Sequence, residues 1–351
     1  MKILICAAGT GGHIFPGVSV AQDIAKRYPK AGILFLISSK EVEAHIAKKI
    51  GFKIKMINMR GFQKLIFGLA SVFFAMKRFS PDAGFSTGGF MSFPAGLSAW
   101  LLRKKFVLHE QNVLPGKGVR LSSLFASKVA VSFKESLKYF KKGKAVFTGN
   151  PVREKVREAS KEKALQTLGI DPSKKTVLIV GGSQGASSLN SCAVEVLKFL
   201  GGEALNILHI TGNKDYERVN GAIRPAGASM IKYKCFPFLD NIWDALCLAD
   251  LAVSRAGATV ISEIACKKIP SILVPYPYSA GGHQELNAKA LERKGAAVVI
   301  NGASLDAKKM SELIIKLLGD EKTLSRMSHA AGTFYEESAA EKITEIILEN
   351  L

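Results

Sequence analysis

The sequence has little of what staples a small domain, spans a bilayer or holds a catalytic metal. Its five cysteines, Cys6, Cys192, Cys235, Cys247 and Cys266, are odd in number, widely spaced and free of C-x-x-C pairs. That excludes a disulfide framework and an encoded zinc site, and fits a reducing cytoplasm. The longest apolar stretch, Leu65 to Met76, has twelve residues, against the roughly 20 that a spanning helix needs. Met1 leads directly into Ile3-Leu4-Ile5-Cys6-Ala7, with no long apolar leader and no small-residue cleavage site, so no secretory signal is expected. There is no D-x-D, the carboxylate pair that usually holds a divalent ion on a nucleotide sugar, and no H-E-x-x-H. Both absences count against metal chemistry.

Acidic residues are scarce in one half only. Residues 1–158 hold 8 Asp and Glu against 27 Lys and Arg, whereas 159–351 hold 21 against 22. A half this positive collects polyanions, whether nucleic acid, an anionic membrane or phosphorylated substrates. Each Lys or Arg near an anionic leaflet gains about 1 kcal/mol. Charge alone does not choose among these partners.

What the chain does have is length and alternation. At roughly 150 residues per domain, 351 residues make two domains. Hydrophobic residues at 48% and charged residues at 22% exclude a disordered or collagen-like chain. Apolar runs predict strands at 2–7, 33–38, 106–109, 128–132, 176–180, 207–210, 231–235, 250–253, 271–274 and 297–300, with helices between them. This is an α/β class with parallel sheets. The alternation restarts after the turn cluster Gly149-Asn150-Pro151, where the linker falls. Thr176 to Val180 with Gly181-Gly182-Ser183 echoes the opening strand and its Gly9-Thr10-Gly11-Gly12, so two similar halves stand in tandem. We divide the chain into 1–158, 159–333 and a terminal helix over 334–351. Ile343, Ile346, Ile347 and Leu351 share one face of that helix, which suits it to docking back on the first domain.

Glycine turns between a strand and a helix can hold a phosphate with bare backbone N–H groups and a helix N-terminus. Gly9-Thr10-Gly11-Gly12-His13 departs from the dinucleotide pattern because Ile14 replaces the third glycine. Gly181-Gly182-Ser183-Gln184-Gly185 lacks a following Lys-Ser/Thr and is not a P-loop. Ser86-Thr87-Gly88-Gly89 forms a third such cluster. Singly, each reads equally well as a tight connection; three in one chain favour phosphate binding. His13 suits a general base near neutral pH, the alternative being a residue that only caps backbone. His109-Glu110-Gln111-Asn112 ends a strand with four polar side chains, which suits sugar hydroxyls, or a solvated loop. After the strand at Asp250 to Ser254 comes Arg255-Ala256-Gly257-Ala258-Thr259 and a helix with Glu263 on its first turn. That carboxylate suits both hydroxyls of a ribose, with an ion pair to Arg255 as the alternative. Beyond the rigid Pro275-Tyr276-Pro277, His283-Gln284-Glu285-Leu286-Asn287 presents amides on one helix face.

These blocks, running in order from Gly9 to Asn287, together with Gly149-Asn150-Pro151-Val152-Arg153, resemble the MurG family of GT-B glycosyltransferases. The resemblance implies two tandem Rossmann-like domains with a cleft between them. It implies UDP-N-acetylglucosamine as donor, bound chiefly by the second domain. The acceptor it implies is lipid I, undecaprenyl-diphosphate-linked N-acetylmuramoyl-pentapeptide, bound by the first. Carried over by position, Ser183 and Arg153 serve the donor diphosphate, the backbone of Leu239 reads uracil, Glu263 holds the ribose and Gln184 is a further donor contact. Ala258, Thr259, His283 and Gln284 surround the sugar, Val260 and Asn287 are further donor contacts, and Thr10, Gly11, Gly12, His13 and Asn112 line the cleft from the acceptor side. Gly88, Gly89 and Asn112 face the acceptor. Val260 and His283 depart from residues common in the family, which touches single sugar contacts only.

The expected reaction is an inverting transfer to a 4-hydroxyl through an oxocarbenium-like state, without cofactor or metal. The diphosphate is stabilised by backbone N–H groups, helix dipoles and Arg153. His13 is the preferred base and Glu110 the runner-up. The basic first domain is expected to dock peripherally on the anionic cytoplasmic face of the plasma (inner) membrane, where other cell-wall synthesis proteins are candidate partners. The contact would be Leu65, Ile66, Phe67, Leu69, Phe73 and Phe74, flanked by Lys64, Lys77 and Arg78; the alternative is an ordinary buried helix. Rival readings are a Rossmann oxidoreductase, a UDP-sugar epimerase, a transferase for a different lipid acceptor and a nucleic-acid-binding protein. The last lacks a recognised motif or an aromatic platform, so no nucleic acid is expected.

Overall fold

The computed structural model describes residues 1–7, 9, 11–38, 50–58, 62–181, 185–223, 230–349 and 351, with side chains from residue 67 onward in the segment that opens at 62. These divide into two compact units, Met1–Arg153 with Glu336–Leu351, and Glu154–Tyr335.

Unit 1 runs β1 (Lys2–Cys6), α1 (Gly11–Arg27), β2 (Gly32–Ser38), β3 (Lys53–Ile57), α2 (Phe62–Phe79), β4 (Ala83–Ser86), α3 (Ser92–Leu101), β5 (Lys105–Glu110), α4 (Lys117–Ser122), β6 (Lys128–Val131), a 3-10 turn (Lys134–Tyr139) and β7 (Ala145–Phe147). Its seven strands lie in the order β3-β2-β1-β4-β5-β6-β7, with every pair parallel. β1, flanked by β2 and β4, sets Ile3 opposite both Ile33 and Ala83. Strands covered on both faces read as apolar runs, and Ile3, Leu4, Ile5 and Cys6 are all fully buried.

Unit 2 opens with α5 (Glu154–Glu158) and α6 (Lys161–Leu168). It continues with β8 (Lys175–Val180), α7 (Ser187–Val196), β9 (Leu205–Ile210), α8 (Tyr216–Ile223), β10 (Lys232–Phe236), α9 (Ile242–Leu248), β11 (Leu251–Ser254), α10 (Ala258–Cys266), β12 (Ser271–Leu273), α11 (His283–Arg293), β13 (Ala297–Val299), α12 (Ala307–Gly319) and α13 (Glu321–Gly332). The sheet order is β10-β9-β8-β11-β12-β13, again all parallel. Residues 154–158 belong here rather than to the first domain, because α5 buries Val156 and packs on α9 and α10. The side chains of Ser160, Asp306 and Asp320 cap α6, α12 and α13 by accepting from the N–H groups of Lys163, Lys309 and Thr323.

The last helix, α14 (Ala339–Leu348), returns to unit 1 and packs on α1. Its Ile343, Ile346 and Ile347 join the core that holds Ile3, Ile5 and Ile14. Strand order reverses between β1 and β4 in unit 1 and between β8 and β11 in unit 2. In such sheets ligands bind beyond the strand carboxyl ends at these two points, which is where the glycine turns lie.

Candidate functional site

In unit 1 the turn from β1 into α1 brings His13, the third residue of the helix, against the turn that leaves β4. His13 Nδ1 lies 2.8 Å from the Thr87 carbonyl oxygen, 74 residues away in sequence. A carbonyl only accepts, so Nδ1 carries the proton; when the ring is neutral its lone pair is then on Nε2, the form a general base needs. Gly9 makes this possible. It adopts φ 141°, and a Cβ there would stand 2.8 Å from His13 Cδ2. A Cβ on Gly88 would lie 3.5 Å from His13 Cε1, which places the Gly88-Gly89 turn at the same spot. Gly11 and Gly12 open α1; Thr10 lies outside the described residues.

The polar run that ends β5 is buried rather than a solvated loop. His109 is fully buried, hydrogen-bonded through Nε2 to Ser132 Oγ at 2.9 Å, and burial pushes its pKa down to about 3. Glu110 is 2% exposed. One of its oxygens accepts from Asn112 N at 2.7 Å and Asn112 Nδ2 at 3.1 Å, and the other from Gly116 N at 3.1 Å. Burial raises its pKa to about 7 against the pull of these donors. Ser136 Oγ donates to the Asn112 carbonyl at 2.9 Å, so Asn112 is held from two sides. Arg153 lays its guanidinium over the Phe15 ring of α1, 4.1 Å from the centroid.

In unit 2 the turn after β8 packs onto the end of β9. Gly185 has φ 73°, and a Cβ on it would meet the Thr211 carbonyl oxygen at 2.5 Å. Ser183 and Gln184 lie outside the described residues. This turn also spells G-x-S-x-G, the sequence of a hydrolase nucleophile turn. The histidine on neighbouring β9, His209, does not serve as its base. Burial pushes its pKa down to about 4, and its two nitrogens are engaged with Tyr233 and Asn190.

After β11, Arg255 donates through Nη1 to the Val274 and Pro275 carbonyls, both at 3.1 Å, and through Nη2 to Ser188 Oγ at 2.8 Å. It therefore braces the β12 loop and α7. Glu263, 4% exposed, is the sixth residue of α10 and so stands on its second turn, not its first, because the helix begins only at Ala258. Ala258 is buried, and Thr259 and Val260 beside it are half-buried. Asn287 is fully buried and donates to the Ala256 carbonyl at 3.1 Å, tying α11 to the β11 turn. Gln284 accepts from Tyr276 N at 2.9 Å through Oε1, and His283 Nδ1 lies 2.6 Å from the Ala280 carbonyl. Leu239 is half-buried in the loop after β10. Among the described residues no three His, Cys, Asp or Glu side chains gather as a metal-ligand set.

α2 is neither wholly buried nor wholly exposed. Val72, Ala75 and Met76 enter the core, whereas Phe67 is 71% and Phe74 62% exposed. Leu69 and Phe73 are half-buried, Lys77 and Arg78 are exposed, and the side chains of Lys64, Leu65 and Ile66 lie outside the described residues. α3 packs on α2, and α4 on α3. These neighbours add exposed Trp100, Leu101, Leu121 and Leu124, followed in sequence by Arg103, Lys104 and Lys128. Sequence reasoning missed these four because the helices that gather them beside α2 are separate in the chain. No helix among the described residues is long and apolar enough to cross a membrane.

Residues 3–131 match the glycosyltransferase family 28 N-terminal domain and residues 176–344 its C-terminal domain. Two relatives, from Halothermothrix orenii and Acetivibrio thermocellus, are both named UDP-N-acetylglucosamine--N-acetylmuramyl-(pentapeptide) pyrophosphoryl-undecaprenol N-acetylglucosamine transferase. They are 37% and 38% identical, over 94% and 99% of this chain and 94% and 97% of their own lengths. Among solved structures, Acinetobacter baumannii MurG superposes with TM-score 0.78 at 28% identity, covering 99% of this chain and all of that one. UDP-GlcNAc 2-epimerase from Neisseria meningitidis shares the fold, with TM-score 0.74 at 14% identity over the full length of both chains. By sequence, fold and the order of its site blocks, this chain belongs to the MurG family of glycosyltransferases, within family 28.

Proposed function

We propose that the chain transfers N-acetylglucosamine from UDP-N-acetylglucosamine to the 4-hydroxyl of N-acetylmuramoyl-pentapeptide carried on undecaprenyl diphosphate, inverting the anomeric carbon. One observation carries the reading: each unit has a glycine turn at its switch point, and the two turns differ in chemistry. The turn of unit 1 holds a histidine with its lone pair on Nε2. The turn of unit 2 is backbone leading into α7, on a sheet that also positions Glu263 and Asn287. The names of the relatives supply the substrates.

In this mechanism the acceptor hydroxyl passes its proton to His13 Nε2 as its oxygen bonds to the anomeric carbon. The bond from that carbon to the diphosphate breaks, and UDP leaves with the electron pair. The growing negative charge meets N–H groups of the turn after β8, the α7 N-terminus, Ser183 and Arg153. Glu263 holds the ribose and the Leu239 backbone the uracil. Ala258, Thr259, Val260, His283, Gln284 and Asn287 of unit 2 serve the sugar, and Thr10, Gly11, Gly12, Gly88, Gly89 and Asn112 of unit 1 serve the acceptor side. Glu110, the runner-up base, also orients Asn112, since its oxygens accept N–H bonds within its own loop. No step calls on a metal. The enzyme works peripherally on the cytoplasmic face of the plasma membrane, docking through the exposed face of α2 with Trp100, Leu101, Leu121 and Leu124.

Incubation of labelled UDP-N-acetylglucosamine with and without a lipid I analogue tests the reading. Label should enter the lipid fraction only when the analogue is present. Conversion of the nucleotide sugar without acceptor would replace this reading with the epimerase one. Flotation with anionic and neutral vesicles tests the docking, and equal binding to both would defeat it.

A further inference from the structure

Beneath the turn after β8 lies a buried polar chain that takes no part in the mechanism above. Its members are Tyr233 on β10, His209 on β9 and Asn190 on α7; His209 and Asn190 are fully buried. Tyr233 Oη lies 2.5 Å from His209 Nδ1, and His209 Nε2 lies 3.0 Å from Asn190 Oδ1. Asn190 Nδ2 then donates to the Thr211 carbonyl at 2.9 Å and to Asp215 Oδ2 at 2.8 Å. The direction of the chain is fixed throughout. A carboxamide oxygen only accepts, so His209 Nε2 carries the proton, and Nδ1 accepts from the tyrosine hydroxyl. Burial keeps the ring neutral. The chain ends on the same Thr211 oxygen that a Cβ on Gly185 would strike.

Packing alone does not require this arrangement, since apolar side chains of similar volume would fill the space at no loss of stability. What a fully directional chain adds is a single orientation. Here it sets α7, and the turn that feeds it, against the end of β9. We propose that Tyr233, His209 and Asn190 are positioning residues for the diphosphate of the bound nucleotide, holding Gly185 and the N-terminus of α7 against the end of β9. This rests on the donor reading above. The relay touches no substrate and acts only through the turn.

The prediction is a loss confined to phosphate. His209→Leu leaves Asn190 Oδ1 buried without a donor, and the amide turns to find one. Calorimetric titration of the full chain should then show UDP bound about tenfold more weakly, the scale of one misdirected hydrogen bond to a charged group, with uridine binding unchanged. His209→Gln supplies an N–H near the position of Nε2 and should restore UDP binding. If His209→Leu does not fold, Asn190→Ser gives the same reading, because its short hydroxyl does not span from Thr211 to His209. Unchanged UDP binding in a folded variant, equal loss of UDP and uridine, or failure of His209→Gln to rescue would overturn the proposal. A parent protein that binds neither UDP nor uridine would overturn the donor reading itself, and this inference with it.

Discussion

Glu110 offers the most direct test of the electrostatics at the carboxyl edge of unit 1. Burial lifts its carboxyl from the ordinary 4.5 to about 7. The folded value lies above the unfolded one, so its stabilising effect is complete below pH 4.5 and is lost as pH rises through about 7. A shift of two and a half pH units at about 1.4 kcal/mol each comes to roughly 3 kcal/mol. Glu110→Gln cannot ionise. It keeps an acceptor for Asn112 but turns an amide toward Gly116 N–H, a constant cost at every pH. Urea denaturation of parent and variant without ligand, across pH 4.5 to 8, isolates the effect, because all other titrating groups cancel in the difference. The parent should lose roughly 3 kcal/mol relative to the variant as pH rises. A difference independent of pH would refute the burial argument. The opposite slope would mean that the three N–H donors outweigh desolvation.

Four further outcomes are expected. His13→Ala should cut turnover by roughly 100-fold with UDP affinity unchanged, read from steady-state kinetics and calorimetry; near-normal turnover removes His13 from the role of base. Replacing Phe67 and Phe74 by serine should weaken vesicle binding by about 100-fold or more, since burying each ring is worth about 1.5 to 3 kcal/mol, while transfer to a soluble acceptor analogue persists. Gly185→Ala forces an L residue to φ 73° with its Cβ 2.5 Å from the Thr211 oxygen; it should cost about 1–3 kcal/mol and abolish UDP binding in a protein that remains folded by circular dichroism. Ile343→Ala should destabilise unit 1 by about 2–5 kcal/mol in thermal unfolding and leave the unit 2 transition in place.

The buried parallel strands were legible because a strand covered on both faces must be apolar along its length, as Ile3 to Cys6 and Val177 to Val180 are. β4 was not. Ala83-Gly84-Phe85-Ser86 has no periodicity, and its place at the sheet centre comes from pairing with β1 and β5, a long-range fact. The edge strands β3 and β7 escaped for the converse reason, since exposed Lys53 and Val146 mask them. His13 was legible as a candidate, but the atom that fixes its tautomer, the Thr87 carbonyl, lies far along the chain. The run at His109 to Gln111 left a solvated loop open as an alternative because polar residues look solvated until their partners are known. For Glu110 those partners stand only two and six residues on, in a loop whose shape the sequence does not display. The relay under Gly185 was invisible for the same reason, its members being spread from Asn190 to Tyr233.

The return of α14 to unit 1 reverses the order of completion during synthesis. Unit 2 is one uninterrupted stretch, whereas the core around Ile3 and Ile5 lacks Ile343, Ile346 and Ile347 until all of unit 2 has been made. The strands of unit 1, made before unit 2, thus complete their core only after it. A nascent chain halted before Ala339 would carry a finished second unit beside a first one whose greasy groove still lies open to chaperones and proteases.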